Sequence, residues 1–323
     1  MNYRAMRCVA AMALAGWIAL GAAAMQALAG PPDRPAAEFP PELVDFVPLQ
    51  NRPVFAGWGK DAWDRQIRER GYILREDDTY YLWYTGYNDD RSEYKYLGLA
   101  TSADGLRWVR CPHNPIFNQV WTEDMCVVKQ GDTYYMFAEG LHDIAHMLTS
   151  KDRVSWEEQG SLDIRYTNGK PLSPGPYGTP TVWVEGPTWY LFYERRDEGI
   201  WLAKSADLKR WTNLQDEPVL RRGPEPYDRD AVALNQVIKY QGRYYGLYHG
   251  IGPKPWRMWT TSIAMSTDLV HWKKYPKNPI IREDKSSAIF VHDGQQYRLY
   301  TMHPEVWVFV PRGSPAAGAK KGP

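Results

Sequence analysis

An aromatic strand pattern that recurs at a nearly constant interval constrains the fold of this chain more than any other feature. Each copy is a short run rich in tyrosine that follows a polar turn, and an apolar run precedes that turn, which is the pattern of a β-hairpin. The register tyrosines of the five copies are Tyr81, Tyr135, Tyr190, Tyr245 and Tyr297. This even spacing predicts five copies of one structural unit arranged as a repeat.

A second element with the spacing Ser-x-Asp-x-x-x-Trp recurs four times between these hairpins. Its aspartates and tryptophans are Asp104 and Trp108, Asp152 and Trp156, Asp207 and Trp211, and Asp268 and Trp272. We expect the aspartate to fix a turn and the tryptophan to pack between neighbouring repeats. Four strands in each unit of about 50 residues, repeated radially, form a propeller blade. The sequence therefore predicts an all-β fold, a five-bladed β-propeller with four antiparallel strands per blade.

Both ends of the chain are expected to lie outside the propeller. Residues 1–29 resemble a secretory signal peptide, with a basic start, an apolar stretch and the small-residue site Ala27-Leu28-Ala29. An uncleaved membrane anchor is the alternative. The prediction is a signal peptide over 1–29, a lead-in segment over 30–49, the propeller over 50–308 and a flexible tail over 309–323. The protein is thus expected to be exported to the periplasm or the extracellular space.

The charge balance and the cysteine count limit the partners and cofactors to be expected. The chain has 39 basic and 38 acidic side chains, so no general attraction to nucleic acid or anionic membranes follows. Beyond residue 29 only Cys111 and Cys126 remain, and the sequence leaves open whether they form a disulfide or stay free. No cofactor is expected, whereas a structural cation in the channel and the oligomeric state stay open. The expected partner is a carbohydrate.

The repeat register also locates a candidate functional face. In a blade, the first strand lines the central channel and the second runs antiparallel beside it, so the start of one and the end of the other share a face. Eleven residues before the register tyrosines lie Arg70, Asp124, Thr179, Leu234 and Ser286, and four residues after them lie Thr85, Glu139, Glu194, His249 and Thr301. This convergence of ionisable groups predicts a ligand pocket at the channel mouth.

This layout resembles the five-bladed propeller glycoside hydrolases, notably families 43, 62, 32, 68 and 117, and the related family 130. The resemblance covers about residues 50–308 and rests on the blade number, the aspartate turns and strand patterns such as Asp132-Thr133-Tyr134-Tyr135. It implies acids at the starts of the first three inner strands, acting as base, pKa modulator and general acid. The sequence departs from that pattern at Arg70 in blade I and at Thr179 in blade III.

The candidate catalytic residues follow from the chemistry that such enzymes perform. Glycoside hydrolysis needs two carboxyl groups on opposite sides of the scissile bond, and a wide separation between them leads to inversion. We expect Asp64 or Glu69 as base, Asp124 as modulator or second acid–base group, and Glu194 as general acid, with inversion of configuration. Each of them could instead serve an ion pair or a turn.

Further polar residues near the same face are expected to contact the substrate. They are Arg68, Arg70, Glu123, Glu139, Thr179, Asp230, Asn235, Gln236, His249 and His303. Family 117, which uses a histidine as its acid, draws attention to His249 and His303 in particular.

The function expected from the sequence is an exported glycoside hydrolase that acts on poly- or oligosaccharides by carboxyl acid–base catalysis. A non-catalytic carbohydrate-binding propeller is one alternative, favoured by the missing acid in blade III. A glycoside phosphorylase of the family 130 kind is another, because Arg68, Arg70, Arg195 and Arg196 could supply a cationic phosphate pocket.

Overall fold

The computed structural model describes residues 37–92, 94–172 and 175–315. The expected signal peptide, the first part of the expected lead-in segment and the end of the expected tail lie outside the described residues. Within the described ranges, no helix has both the length and the apolar character needed to cross a membrane.

The regular secondary structure of the described residues consists of short strands, with one α-helical turn, α1 (Pro41–Val44), and one 3-10 turn (Pro226–Asp228). The strands are β1 (Phe46–Pro48), β2 (Gln66–Glu76), β3 (Thr79–Tyr87), β4 (Tyr96–Ser102), β5 (Val109–Arg110), β6 (Glu123–Gln130), β7 (Thr133–Gly140), β8 (Ile144–Ser150), β9 (Glu157–Ser161), β10 (Ile164–Arg165), β11 (Gly178–Glu185), β12 (Thr188–Glu194), β13 (Gly199–Ser205), β14 (Trp211–Asn213), β15 (Leu220–Arg221), β16 (Ala231–Tyr240), β17 (Arg243–Ile251), β18 (Thr260–Ser266), β19 (Trp272–Lys274), β20 (Ile289–His292), β21 (Tyr297–Thr301) and β22 (Trp307–Pro311).

These strands form five sheets, one for each repeat of the sequence. Blade I is β2–β5, blade II is β6–β9, blade III is β11–β14 with β10 and β15 added, and blade IV is β16–β19. Blade V is β20–β22 together with β1. The innermost strands β2, β6, β11, β16 and β20 contact one another in a closed ring. The predicted all-β five-bladed propeller is confirmed.

Blade V is completed by a strand from the other end of the chain. Strand β1 pairs antiparallel with β22, with Phe46 opposite Pro311 and Pro48 opposite Phe309. This pairing explains why the Ser-x-Asp-x-x-x-Trp element occurs only four times, because β1 takes the outer place in the fifth blade. The sheet therefore reaches from residue 46 to residue 311, and the expected boundaries at 50 and 308 cut through it. A three-residue strand whose partner is far away in sequence leaves no local signal.

Three of the four tryptophans of the repeated element pack between blades, as predicted. Each of these three contacts an aromatic ring on the second strand of the preceding blade, edge-to-face, which is a favourable geometry for aromatic pairs. The pairs are Trp156 with Trp83 at 6.0 Å, Trp211 with Phe137 at 5.8 Å, and Trp272 with Phe192 at 5.9 Å between ring centroids. These contacts tie blades I to IV to one another. Trp108 instead contacts Tyr80 of its own blade at 6.5 Å.

The aspartate of the same element fixes a turn, as predicted. In blade II, Asp152 Oδ1 accepts the backbone N–H groups of Val154 (2.9 Å) and Ser155 (2.6 Å). These bonds, that of Ser155 foremost, lower the pKa of Asp152 to about 2. The residue is therefore a structural carboxylate.

The two cysteines that the structure describes are both free thiols. Cys126 is buried on β6, where the backbone N–H of Val182 in the next blade lies 3.4 Å from its sulfur. Its side chain thus faces the neighbouring blade, and Cys111 follows β5 at the outer edge of blade I.

Candidate active site at the channel mouth

The inner strands of blades I to IV each carry a β-bulge near their first residues. The pairing with the second strand shifts between Arg68 and Tyr72, Glu123 and Cys126, Gly178 and Thr181, and Leu234 and Gln236. In the first three blades a bulged residue has a positive φ, namely Glu69 (54°), Asp124 (46°) and Thr179 (44°). Bulges redirect side chains, and such strained backbone is concentrated at functional sites. Three polar side chains are thereby set at one end of the channel.

Arg70 does not lie at the mouth as the register predicted. The bulge of blade I is one residue longer than that of blade II, so Glu69 takes the conformation that Asp124 has in blade II. Arg70 is fully buried, so it has no surface with which to contact a substrate. A repeat register counted along the sequence cannot reveal the length of a bulge.

The Arg70 guanidinium instead fills the channel and joins four blades. It donates hydrogen bonds to the carbonyls of Asp124, Met125 (3.0 Å), Pro180 (2.6 Å), Leu234 (2.8 Å) and Asn235 (2.9 Å), and to the hydroxyl of Thr181 (2.6 Å). Among the described residues, no group of His, Cys, Asp or Glu side chains is arranged to hold a metal ion. The Arg70 guanidinium thus binds the converging backbone carbonyls to which a structural cation in the channel would bind.

Asp124, Thr179 and Glu139 form a hydrogen-bonded chain across blades II and III. Asp124 Oδ1 accepts the backbone N–H of Arg70 (2.7 Å), and its Oδ2 lies 3.4 Å from the Thr179 hydroxyl. Glu139 Oε2 accepts the backbone N–H of Thr179 (2.7 Å) and lies 3.2 Å from the same hydroxyl. Burial, with Asp124 and Glu123 nearby, raises the pKa of Glu139 well above its usual value. A protonated Glu139 can donate to Thr179, whose hydroxyl then donates to Asp124.

Glu139 and Glu194 meet at Gly178, the first residue of β11. A Cβ at this position would collide with Glu139 Oε2 and lie 3.2 Å from Glu194 Oε1, so only glycine lets both carboxyl groups approach. Glu194 Oε2 accepts the backbone N–H of Asp197 at 2.8 Å. Burial, which outweighs that bond, raises the pKa of Glu194 to about 8, and nearby acids including Asp197 add to the shift. Glu194 is therefore a carboxylic acid at neutral pH.

Glu69 and Glu123 complete the acidic wall of the mouth. Burial and the neighbouring Asp124 raise the pKa of Glu69, whereas His303 and Arg68 oppose the rise. Arg68 Nε lies 2.5 Å from Glu69 Oε1, and His303 Nδ1 lies 3.6 Å from Oε2. Burial, followed by Asp124 and Glu69, raises the pKa of Glu123 to about 7. Burial thus makes Glu69 a more basic carboxyl group than an exposed glutamate, and the Arg68 guanidinium beside it favours its charged form.

The structure places Asp64 in a buried network outside this cluster. Its Oδ2 accepts hydrogen bonds from the Tyr84 hydroxyl (2.9 Å) and from Arg110 Nε (2.8 Å), and the residue is only 2% exposed. A carboxylate held by an arginine and closed off from solvent does not fit the expected role of a base that activates water. The sequence shows only that Asp64 lies two residues before the inner strand β2, and this position does not reveal that the side chain is buried.

His249 lines the mouth but does not fit the role of general acid. Its Nδ1 lies 2.8 Å from Asn235 Oδ1, and burial lowers its pKa to about 4. Its imidazole is therefore neutral at pH 7 and has no extra proton to give. Asn235 orients this ring, whereas the Gln236 side chain exchanges two hydrogen bonds with the backbone of Phe290 (3.0 and 2.7 Å). Gln236 is thus used to join blades IV and V.

Asp230 lies at the beginning of blade IV, beside rather than within the acidic cluster. Its carboxylate pairs with Arg257 Nη1 at 3.1 Å, and its side chain is partly exposed. A solvated ion pair of this kind contributes little to stability. Because both side chains are exposed, both groups are accessible to a ligand.

Two acids that act on Glu194 were not identified from the sequence. Asp143 and Asp197 lie in the turns that follow β7 and β12, and both have positive φ angles, 55° and 60°. Each raises the pKa of Glu194. Asp143 and Asp197 each follow the second strand of a blade, in two successive blades. Because the end of the second strand lies at the channel mouth, this repeated position could have identified both acids from the sequence.

Acids dominate the charge of the mouth. The carboxyl groups that act on one another there are Glu69, Glu123, Asp124, Glu139, Asp143, Glu194 and Asp197. Groups kept protonated lie beside groups that can hold a negative charge, which is the requirement for paired general acid and base catalysis.

Comparisons with known proteins place this fold among enzymes of carbohydrate chemistry. No protein-family model matches the chain. A curated relative, the 1,2-β-oligomannan phosphorylase of Thermoanaerobacter sp. (strain X514), is 25% identical over 225 residues, which is 64% of this chain and 72% of that protein.

Solved structures share the fold over a larger part of the chain. A glycosyl hydrolase from Bacteroides ovatus aligns with a TM-score of 0.68 and 16% identity over 82% of this chain and 93% of that one. The β-1,2-mannobiose phosphorylase of Listeria innocua aligns with a TM-score of 0.64 and 18% identity over 82% and 95%. The predicted resemblance to five-bladed propeller glycosidases is confirmed at the level of the fold.

Proposed function

We propose that this protein is a carbohydrate-active enzyme that cleaves β-1,2-mannosidic bonds, and that it does so by hydrolysis. The observation that supports the proposal is the cluster of buried carboxyl groups at one end of the channel, whose pKa values are raised by burial and by one another. The choice of sugar rests on the two similar phosphorylases, of which one acts on 1,2-β-oligomannan and the other binds β-1,2-mannobiose.

Glu194 is the general acid of the proposed reaction. Its pKa of about 8 keeps the carboxyl proton in place at neutral pH until the leaving oxygen needs it. The proton passes to the glycosidic oxygen as the bond from C1 to that oxygen breaks, and Glu194 is left as a carboxylate. After each turnover, solvent or another acid must return a proton to the Glu194 carboxylate. Burial favours this return because it destabilises the charged form.

Glu69 is the base that activates the attacking water. It takes one proton from water while the water oxygen bonds to C1 on the face opposite the leaving group. Glu69 belongs to blade I and Glu194 to blade III, so blade II lies between them in the ring. A water molecule between the base and the sugar requires a wide separation of the two carboxyl groups, and the outcome is inversion at C1.

Asp124 lies between these groups and stabilises positive charge. Its two oxygens are held by Arg70 N–H and by the Thr179 hydroxyl, so its position is fixed before the substrate arrives. A preorganised carboxylate favours the oxocarbenium-like transition state of glycoside cleavage. Its charge also helps to keep the proton on Glu139 and Glu194.

Phosphorolysis is the second candidate, favoured by the names of the two relatives. A phosphate dianion would have to enter a mouth lined by seven acidic side chains, and those of them that are ionised would repel it. Of the four arginines expected to bind it, Arg70 is committed to carbonyls, Arg68 pairs with Glu69, and Arg195 lies over the Trp201 ring at 5.5 Å. Arg196 is exposed in the turn after β12 and is the one of the four that could still meet a phosphate. Water meets no such electrostatic barrier, and therefore the charge distribution supports hydrolysis.

We also propose that the enzyme is exported, because residues 1–29 have the composition of a signal peptide. Amino-terminal sequencing of the protein recovered from the producing cells tests this directly. A mature protein that begins at Gly30 is expected, and a cytosolic protein that retains residues 1–29 would contradict it.

The products formed from β-1,2-mannobiose with and without inorganic phosphate decide between the two reactions. We expect mannose at the same rate in both conditions, and a Glu194→Gln variant with a strongly reduced rate. Glu185→Gln is the matched control, because Glu185 lies at the opposite end of β11 and pairs with Lys239. Formation of mannose 1-phosphate that depends on phosphate would replace hydrolysis with phosphorolysis, whereas binding without any product would indicate a lectin-like protein.

A further inference from the structure

A groove runs along blade II beside the channel mouth. It has a volume of about 280 Å³, close to the smaller ligand pockets of proteins, which begin at roughly 300 Å³. Its lining combines aromatic, apolar and planar polar side chains. They include Tyr94, Gln119, Trp121, Leu141, His146 and Glu158.

The groove continues directly from the proposed catalytic cluster. Trp121 lies two residues before Glu123, and Gly140 of the groove follows Glu139 at the end of β7. A sugar chain whose scissile bond lies between Glu69 and Glu194 therefore has an adjoining path across blade II.

His146 carries a buried nitrogen that lacks a hydrogen-bond partner among the described residues. It is 4% exposed, and its Nε2 has no hydrogen-bond partner in the described part of the chain, although it lines the groove. Its Nδ1 lies 2.8 Å from Glu158 Oε2, and Glu158 Oε1 accepts the backbone N–H of Gly160 at 3.1 Å. The ring is thus oriented by a fixed carboxylate, yet one of its nitrogens remains unsatisfied. A buried polar atom without a partner is unfavourable, and a bound ligand would remove that penalty.

The groove chemistry matches a sugar residue. A sugar hydroxyl both donates and accepts hydrogen bonds, so it can pair with Nε2 in either protonation state of the ring. Trp121 offers an aromatic face, and Lys95 Nζ, 4.5 Å from that ring, supports its position. Tyr94, which is half exposed, provides a second ring at the rim.

We propose that this groove binds a further sugar residue of the oligosaccharide, beyond the two that the cleaved bond joins. The proposal rests on the proposed function and specifies its substrate as chains longer than a disaccharide. His146 Nε2 bonds a hydroxyl of the third sugar, Glu158 holds the imidazole in place, and the aromatic rings pack against the sugar ring.

The test compares kcat/KM for β-1,2-mannotriose with kcat/KM for β-1,2-mannobiose. The His146→Gln variant is expected to lower the ratio of the two values about tenfold, the effect of one hydrogen bond, mainly through the KM of the triose. His271→Gln is the matched control, because His271 Nδ1 pairs with Asp268 Oδ2 at 2.7 Å on the exposed edge of blade IV. That variant should keep the wild-type ratio.

Two further arms keep the result decisive. If His146→Gln does not fold, Tyr94→Ala at the exposed rim replaces it, and it should also lower the ratio. If the wild type cleaves neither sugar, calorimetric titration with mannotriose is compared between wild type and variant, and about tenfold weaker binding in the variant is expected.

The outcomes separate this proposal from the proposed function. An unchanged ratio in an active variant would overturn the groove site and leave the proposed function standing. Equal mannotriose binding by wild type and variant would overturn it as well. Absence of cleavage with weakened binding in the variant would instead support the groove and contradict the proposed function.

Discussion

At the scale of single residues, the acids of the channel mouth differ in how strongly burial opposes their charge. Burial raises the pKa of Glu194 to about 8 and that of Glu123 to about 7, and it also raises the pKa of Glu69, where His303 and Arg68 oppose the rise. Environments that push the pKa values of paired groups apart are what divides acid from base in an active site. The proposed roles of Glu194 as acid and Glu69 as base rest on the cationic Arg68 beside Glu69, for which Glu194 has no counterpart among the groups that shift its pKa.

The pH dependence of kcat/KM tests the acid role of Glu194. Because the reaction requires the protonated carboxyl group, activity should fall as the pH rises through about 8. In Asp197→Asn, the loss of a neighbouring negative charge lowers the pKa of Glu194, so the alkaline limb of the profile should move to lower pH. Asp78→Asn, in an exposed hairpin turn, is the control. An alkaline limb that stays in place in Asp197→Asn would contradict the assignment.

The same raised pKa predicts how stability depends on pH. The folded protein binds the Glu194 proton more tightly than the unfolded chain, whose carboxyl has a pKa near 4.5. This contribution to the free energy of unfolding is fully present below pH 4.5 and is lost as the pH rises to about 8. Melting temperatures at pH 5 and pH 9 should therefore differ less in Glu194→Gln than in the wild type. If the melting temperature of Glu194→Gln depended on pH as strongly as those of the wild type and the Glu185→Gln control, this would be evidence against a buried acid at position 194.

At the scale of strands and turns, the sequence predicted most of what positions the site. The tyrosine register located the inner and second strands, and from them Asp124, Glu139 and Glu194 on one face. It did not reveal that blade I has a longer bulge, which exchanges the places of Glu69 and Arg70. Bulge length depends on how two strands twist against the neighbouring blade, and a count of residues between repeats does not contain that information.

Gly178 tests whether the close approach at the start of β11 matters for catalysis. A methyl group there would displace the Glu139 carboxyl, and misplacement of a catalytic constellation by about 1 Å can lower the rate roughly 10²-fold. We expect Gly178→Ala to lose activity on that order while remaining folded by circular dichroism. Gly313→Ala, where an added Cβ meets nothing within 4 Å, is the matched control. Full activity in Gly178→Ala would show that the position of Glu139 is unimportant.

At the scale of the whole molecule, Arg70 and the closure of blade V hold the ring together. Arg70 bonds to residues as far as 165 positions away along the chain, and β1 pairs with β22 across nearly the whole propeller. Contacts between such distant segments leave no mark on a local pattern, which is why the sequence suggested a ligand-binding role for Arg70 and placed the boundaries inside blade V.

Removal of the Arg70 guanidinium tests its structural role. Arg70→Met leaves several buried carbonyls without donors, and the loss of one partner from a buried polar network typically lowers stability by about 3–5 kcal/mol. Denaturant unfolding should show a loss of that size. Arg75→Met, on the same strand in an outer ion pair with Asp78, should change stability by less than about 1 kcal/mol. Similar small losses in both variants would contradict the role assigned to Arg70.

The central claim, that Glu194 protonates the leaving oxygen of a mannoside, is tested most directly by changing the leaving group. Wild type and Glu194→Gln are compared on β-1,2-mannobiose, whose leaving hydroxyl needs a proton, and on 2,4-dinitrophenyl β-mannoside, whose phenolate leaves without one. The rate on mannobiose should fall by a factor on the order of 10³ in the variant, and the rate on the dinitrophenyl substrate should fall much less. Equal losses on both substrates would contradict the assignment of Glu194 as the general acid.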